Sequence, residues 1–237
     1  MDNQQLKTSE EKTINLYNKA YSENYRAYDE KFITEPSYPH FGGIIRKLSA
    51  SFGRSVSVLE VGCGTGRYFH CLQNTASLTG IDISEHMLEL ARHPLKEEEV
   101  NIPDIQLIAG SVYEHDFGNQ QFDFIYSVGV LGEHVPLTPS MLDKLYKLLH
   151  TNGVLFTTVV NLDARKNLKR RLAEAAYPMM PQRVRQVLDE RWKSNYLTLK
   201  QLKALMVSSP FSNYDIENYI SEDKGWKGGH YEITARK

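Results

Sequence analysis

A carboxylate, three alternating glycines and a second carboxylate carry most of the chemistry this chain offers. Residues 58–66 read Val-Leu-Glu-Val-Gly-Cys-Gly-Thr-Gly, and Asp82 follows sixteen positions after the last glycine. Val56, Val58, Leu59 and Val61 have the content of a short buried strand, and Gly62, Gly64 and Gly66 then turn the chain toward a helix expected to begin near Arg67. A side chain at Gly62 or Gly64 would hold the backbone away from a ligand, while Gly66 would let the helix pack closely on the strand. The helix start would offer unpaired N–H groups to an anionic group. Leu78-Thr-Gly-Ile-Asp82 is a second apolar strand ending in an acid, placed to accept the hydroxyls of a ribose held over the loop. These residues describe a nucleoside site. A dinucleotide-binding protein would share it, but such proteins use Gly-x-Gly-x-x-Gly, and the carboxylate of Glu60 would repel a pyrophosphate.

The elements that must hold these residues alternate along the chain. Strands are predicted at 56–61, 78–82, 105–108, 122–127 and 154–160, and helices at 65–75, 84–92 and 138–150, with Asn152-Gly153 as a turn before the fifth strand. That order implies a mostly parallel sheet with right-handed crossovers. Ahead of it, Thr8-x-x-Glu11 has the form of a capping box opening a helix to about Phe32, with Tyr17, Tyr21, Tyr25 and Tyr28 on one face. Pro36 and Pro39 break the chain before a short helix over 41–48. After Asn161, 163–176 and 182–193 read as an inserted helical pair with Leu168, Leu172 and Ala176 as its buried stripe. A helix over 196–206, with Thr198 as a plausible cap, and strands near 215–220 and 230–235 close the chain, the strands as an antiparallel hairpin.

Glu60-Val-Gly-Cys-Gly-Thr-Gly66 followed by Gly80-Ile-Asp-Ile-Ser84 resembles the first two motifs of class I S-adenosylmethionine-dependent methyltransferases. The resemblance covers 40–160 by motif and 196–237 by pattern. It implies an α/β, Rossmann-like, seven-stranded, mostly parallel sheet with an antiparallel C-terminal hairpin, helices on both faces, an N-terminal helical lid and a helical insertion after strand 5. One domain is expected over 1–237: a cap over 1–50, a cofactor-binding core over 51–160, the insertion over 161–195 and a closing helix and hairpin over 196–237. The implied cofactor is S-adenosyl-L-methionine, with S-adenosyl-L-homocysteine as product. Glu60 and the loop of Gly62, Cys63, Gly64 and Gly66 would hold its methionine portion, the carboxylate meeting the α-ammonium, and Asp82 with Ile83 its ribose. Met87 either covers ribose or adenine or belongs to the core. At the tip of the third strand the family usually carries an acid against the adenine amino group. This chain has Ser111 there, followed by Val112, and the pair either takes the adenine or is an ordinary polar loop. Ser127, at the tip of the fourth strand, should face the methyl group.

Catalytic residues are not assigned by these motifs. Displacement at a sulfonium is already activated, so positioning the nucleophile supplies much of the acceleration, and a base is needed only where the nucleophile must lose a proton. His134, in Gly132-Glu-His-Val-Pro136, and Tyr17 and Tyr25 are the candidates, against structural roles for all three.

Whole-chain properties narrow the function further. With 237 residues, 41% hydrophobic content and a net charge of −1, the chain can bury one substantial core and has no global bias toward nucleic acid or membrane. No leader or membrane-length apolar run is apparent, so a cytoplasmic location and no membrane partner are expected. Two cysteines eight residues apart and scattered histidines give no disulfide framework and no metal site. Residues 161–195 hold nine Lys or Arg against four acids, a local +5 that leaves −6 elsewhere. That asymmetry is either a solvated face or an attractor of an anionic acceptor. The leading reading is methyl transfer to an O, N or C nucleophile of a small molecule, which the insertion allows to be anionic. The alternatives are an RNA or protein acceptor docked by the insertion, an NAD-dependent oxidoreductase, and a non-catalytic cofactor-binding protein.

Overall fold

The computed structural model describes residues 3–17, 19–165, 172, 175–185, 194–224 and 228–237. Its centre is one seven-stranded sheet: β1 (Val56–Val61), β2 (Thr75–Asp82), β3 (Asp104–Ala109), β4 (Phe122–Ser127), β5 (Leu149–Val160), β6 (Asn213–Ile220) and β7 (Gly229–Arg236), in the order β3-β2-β1-β4-β5-β7-β6. Strands β1 to β5 pair in parallel, and β7 runs antiparallel to both β5 and β6. The expected sheet and hairpin are both present. Helix α1 (Asn3–Leu16), α2 (Lys19–Phe32) and α3 (Ser37–Ala50) precede the sheet; α4 (Glu85–Ala91) and α5 (Pro139–Leu148) are crossovers; α6 (Leu162–Arg165) and α7 (Leu199–Val207) follow β5.

Strand side chains alternate between two cores, as a sheet covered on both faces requires. Leu59, Ile125 and Leu155 enter one core with Leu142 and Leu145 of α5 and Leu202 and Met206 of α7. Val58, Phe124 and Phe156 enter the other with Phe41 and Ile45 of α3 and Leu88 of α4. Three caps hold their helices where the sequence signals them. Ser84 and Thr138 accept from Met87 N and Met141 N, and Thr198 forms a reciprocal capping box with Gln201.

Four local expectations fail. No α-helix follows the glycine loop: residues 62–68 run through turns to a 3₁₀ turn at Phe69–Cys71. Gly62, Gly64 and Gly66 all have positive φ, and Tyr68, Phe69, His70 and Cys71 are all buried, which leaves no polar face for an amphipathic helix in the short span before β2. Thr8 lies inside α1 rather than capping it, because the helix-forming run Gln4-Gln5-Leu6-Lys7 carries the helix back to Asn3. The long first helix is divided at Tyr17, whose carbonyl accepts from Ser84 Oγ at 2.8 Å instead of continuing an intrahelical ladder. Asn152-Gly153 is an irregularity within β5, not a turn before it; Leu149 already pairs with Phe122, and the register shifts before Val154.

In the insertion, residues 166–171, 173–174 and 186–193 lie outside the described residues, and with them most of the predicted helical pair, Leu168 and six of its nine basic residues. Leu172 is 62% exposed and joins neither core, so the expected buried stripe does not hold at that position. Among the described residues no helix is long and apolar enough to cross a membrane.

Candidate active site

The C-terminal tips of β1, β2, β3 and β4 open onto a cleft roofed by α1, by Tyr17 and by Tyr25 of α2. The chain leaves β1 at Val61 and bends at once, with Gly62 N and Cys63 N both donating to Ile81 O at the end of β2 (2.8 and 3.2 Å). A Cβ at Gly62 would lie 2.3 Å from the Val130 side chain, and one at Gly66 would lie 2.7 Å from the Phe69 ring. These two glycines therefore admit neighbouring side chains rather than a ligand. The glycine that leaves room on the ligand side is Gly64, whose nearest neighbour would be Met87 Cε at 3.6 Å.

Three acids line the cleft in strand order. Glu60, on β1, is buried and accepts from Tyr126 Oη at 2.6 Å; the two are register partners across β1 and β4. Burial pushes the Glu60 carboxyl up to about 8; the Tyr126 hydrogen bond and Arg67 pull against that shift, and the Asp82 charge adds to it. Asp82, at the end of β2, receives Gly64 N at 2.8 Å on one oxygen and Ser84 N at 2.9 Å on the other. Burial raises its pKa against the pull of those N–H groups. Glu10, from α1, is buried beside β3 and accepts from Ser111 Oγ.

The one arginine among the lining residues is already engaged. Arg67 donates to Asp29 through Nε (2.8 Å), lies 2.5 Å from it through a terminal nitrogen, donates to Tyr25 Oη at 3.0 Å and stacks over Phe32 at 4.2 Å. Asp29 is fully buried and also takes the Thr65 hydroxyl at 2.5 Å, so α2 is fastened to the glycine loop. Arg26 fastens the same helix to the end of α4 through the carbonyls of Leu90 and His93. At the mouth, Tyr17 Oη lies 3.0 Å from His134 Nε2, and Tyr17 meets Tyr25 edge-on at 5.9 Å. Burial lowers the His134 pKa, which keeps its imidazole neutral at pH 7. Asn195 fixes the histidine loop from below by donating to Glu133 O and His134 O (3.0 and 2.9 Å).

Residues 58–153 match the sequence profile of a methyltransferase domain. By that match this segment, β1 to the first part of β5, is a methyltransferase domain. Over 151 residues the chain is 31% identical to malonyl-[acyl-carrier protein] O-methyltransferase of Priestia megaterium, covering 62% of this chain and 52% of that protein. Over 130 residues it is 29% identical to ubiquinone biosynthesis O-methyltransferase of Coxiella burnetii, covering 52% of each. The chain thus spans about half the length of the curated relatives it matches. Magnesium protoporphyrin IX methyltransferase of Synechocystis, solved with bound S-adenosylhomocysteine, has the same fold, with a TM-score of 0.65 at 14% identity over 97% of this chain and all of that one.

Most residues singled out in the sequence of this methyltransferase domain line one cleft: Glu60, Gly62, Cys63, Gly64, Asp82, Ile83, Met87, Ser111, Val112 and His134, joined by Tyr17 and Tyr25 from the roof. Two do not. Ser127 is fully buried and donates to Val61 O at 2.9 Å, bracing β4 against β1, and Gly66 lies behind the loop against Phe69. Among the tyrosines, Tyr28 is 51% exposed, and the side chain of Tyr21 lies outside the described residues. Sequence reasoning missed Glu10, Asp29, Arg67 and Tyr126. Arg67 carried a signal, as the one cation in an otherwise apolar run; Tyr126 became legible only from the β1–β4 register.

Proposed function

We propose that this chain transfers a methyl group from S-adenosyl-L-methionine to a hydroxyl or other protic nucleophile of a small molecule. The observation that carries the reading is the convergence of Glu60, Asp82 and the glycine loop on a cleft whose mouth holds the Tyr17–His134 pair. The residues fit that cofactor on chemical grounds. A buried carboxylate with a raised pKa favours a cationic neighbour such as an α-ammonium, and the remaining lone pairs of Asp82 suit vicinal hydroxyls. When bound, the cofactor would supply a methyl group on a positively charged sulfur. The protein's task is then to orient and to move one proton. Burial favours a neutral His134, which is hydrogen-bonded to Tyr17; in the tautomer that leaves Nε2 unprotonated, that nitrogen would take the acceptor's proton, directly or through the tyrosine hydroxyl. Tyr25 is committed to Arg67 and acts as a wall.

Both curated relatives described above are O-methyltransferases by name, which supports an oxygen acceptor. The reading treats 1–237 as one domain with the cap, core, insertion and closing segments as delimited above. It also assigns the cytoplasm, where the two buried free cysteines would stay reduced. Incubation with methyl-labelled cofactor and cell extract tests the acceptor class. Label is expected in the small-molecule fraction, and label lost on nuclease or protease treatment would sink that assignment.

A further inference from the structure

The third acid of the cleft is the one whose role the motifs leave open. Glu10 comes from α1, outside the strand framework that supplies Glu60 and Asp82, yet it is buried in the cleft wall against the β3 tip. A carboxylate has about four acceptor positions, and the Ser111 hydroxyl takes one. Ser111 Oγ itself accepts from Tyr113 N at 3.1 Å, so this hydroxyl is used in both directions and has no proton left for a ligand. Glu10 therefore holds the acceptor capacity at this end of the site.

The surroundings specify what it meets. Met87 and Val112 are buried and, with Ile83, line the cleft as an apolar slot between the tips of β2 and β3, next to the Asp82 carboxylate. A slot of that kind takes a flat heteroaromatic ring, and an acceptor-only group at its rim selects a ring that carries an N–H donor on its edge. Resting on the cofactor reading above, we propose that Glu10 is the residue that selects a 6-amino purine, accepting from the exocyclic amino group and rejecting a 6-oxo purine. The acid that reads the base thus belongs to the lid helix, so base recognition draws on the packing of α1 against the β3 tip.

Calorimetric titration with S-adenosylhomocysteine and with S-inosylhomocysteine, which places an oxygen where the amino group stood, tests this. Wild-type protein should prefer the adenosyl compound by on the order of tenfold, because the carboxylate loses the amino donor and faces an acceptor oxygen, and the neighbouring ring N–H of the 6-oxo purine replaces that bond only if the base shifts. In Glu10→Gln the amide can turn either its carbonyl or its amino end to the ring, so the preference should collapse to within about threefold. Ser111→Ala, which leaves the carboxylate but frees its orientation, should keep a reduced preference of the same sign. Thermal melts of the free variants check that both fold. Adenosyl binding with a preference unchanged in Glu10→Gln overturns the proposal alone. Failure of the wild type to bind either compound overturns the cofactor reading and the proposal with it.

Discussion

At the scale of residues, burial raises the pKa of two carboxylates of the cleft, Glu60 and Asp82. Glu60, pushed up to about 8 by burial, holds a proton near neutrality that a cationic neighbour would displace. Affinity for S-adenosylhomocysteine should therefore rise as pH increases from 6 toward 8 and then level off. Titration in buffers of different ionisation enthalpy should detect proton release, and Glu60→Gln should bind weakly with a flat profile. The sign for stability is opposite. The native protein retains a proton that the unfolded chain loses above about 4.5, so the Glu60 contribution to stability declines as pH rises from there to about 8. His134 should set the acidic limb of turnover: because burial lowers its pKa, kcat should rise through a value below 6.5 and stay level above it. His134→Ala should cost on the order of 100-fold in kcat, and Tyr17→Phe less, with the cofactor Kd nearly unchanged. Glu60, Asp82 and His134 were legible because each stands in or just after a strand, where a short motif implies position. Glu10 was not, since nothing in a helix 101 residues from Ser111 indicates that the two touch.

At the scale of elements, α2 and the glycine loop form one unit through Asp29, Arg67 and Thr65. Removing one partner of a buried ion pair leaves the other uncompensated, so Asp29→Ala should lower stability by about 3 kcal/mol or more in urea unfolding. It should also weaken S-adenosylhomocysteine binding, because Thr65 and Arg67 border the cleft. Arg26→Ala, which removes hydrogen bonds to the carbonyls of Leu90 and His93, should cost about 1 kcal/mol and spare binding. The loop was expected to lead into a helix whose N-terminus serves an anion. Positive φ at Gly62, Gly64 and Gly66 and the burial of residues 68–71 give turns and a 3₁₀ segment in its place, so the loop's contribution is close backbone approach at Gly64 and the N–H bond to Asp82. Strands, crossover helices and the Thr198 cap were legible because periodicity and a cap are local signals. The division of the N-terminal helix at Tyr17 was not, because its cause is a hydroxyl on another element, Ser84.

At the scale of the whole molecule, the reversal of strand order at β1 and β4 opens the cleft, and the N-terminal helices cover it. A ligand held by both layers stabilises the native state by mass action. S-adenosylhomocysteine at about 100 times its Kd should add about 2.7 kcal/mol and raise Tm by roughly 5–10 °C. In Asp82→Ala, which loses the acceptor for Gly64 N, that increment should fall below about 1 kcal/mol at the same concentration. Sequence alone determined the alternation of strands and helices, the parallel sheet with its antiparallel hairpin, and two of the three acids. Each of these is written in neighbouring residues, as a period of two, a cap or a glycine spacing. Only the tertiary structure decided which tyrosine meets His134, that Asp29 holds Arg67, and that α1 brings Glu10 to Ser111. Those contacts join residues 38 to 117 positions apart, and they are set by how the lid packs on the sheet, which no local pattern encodes.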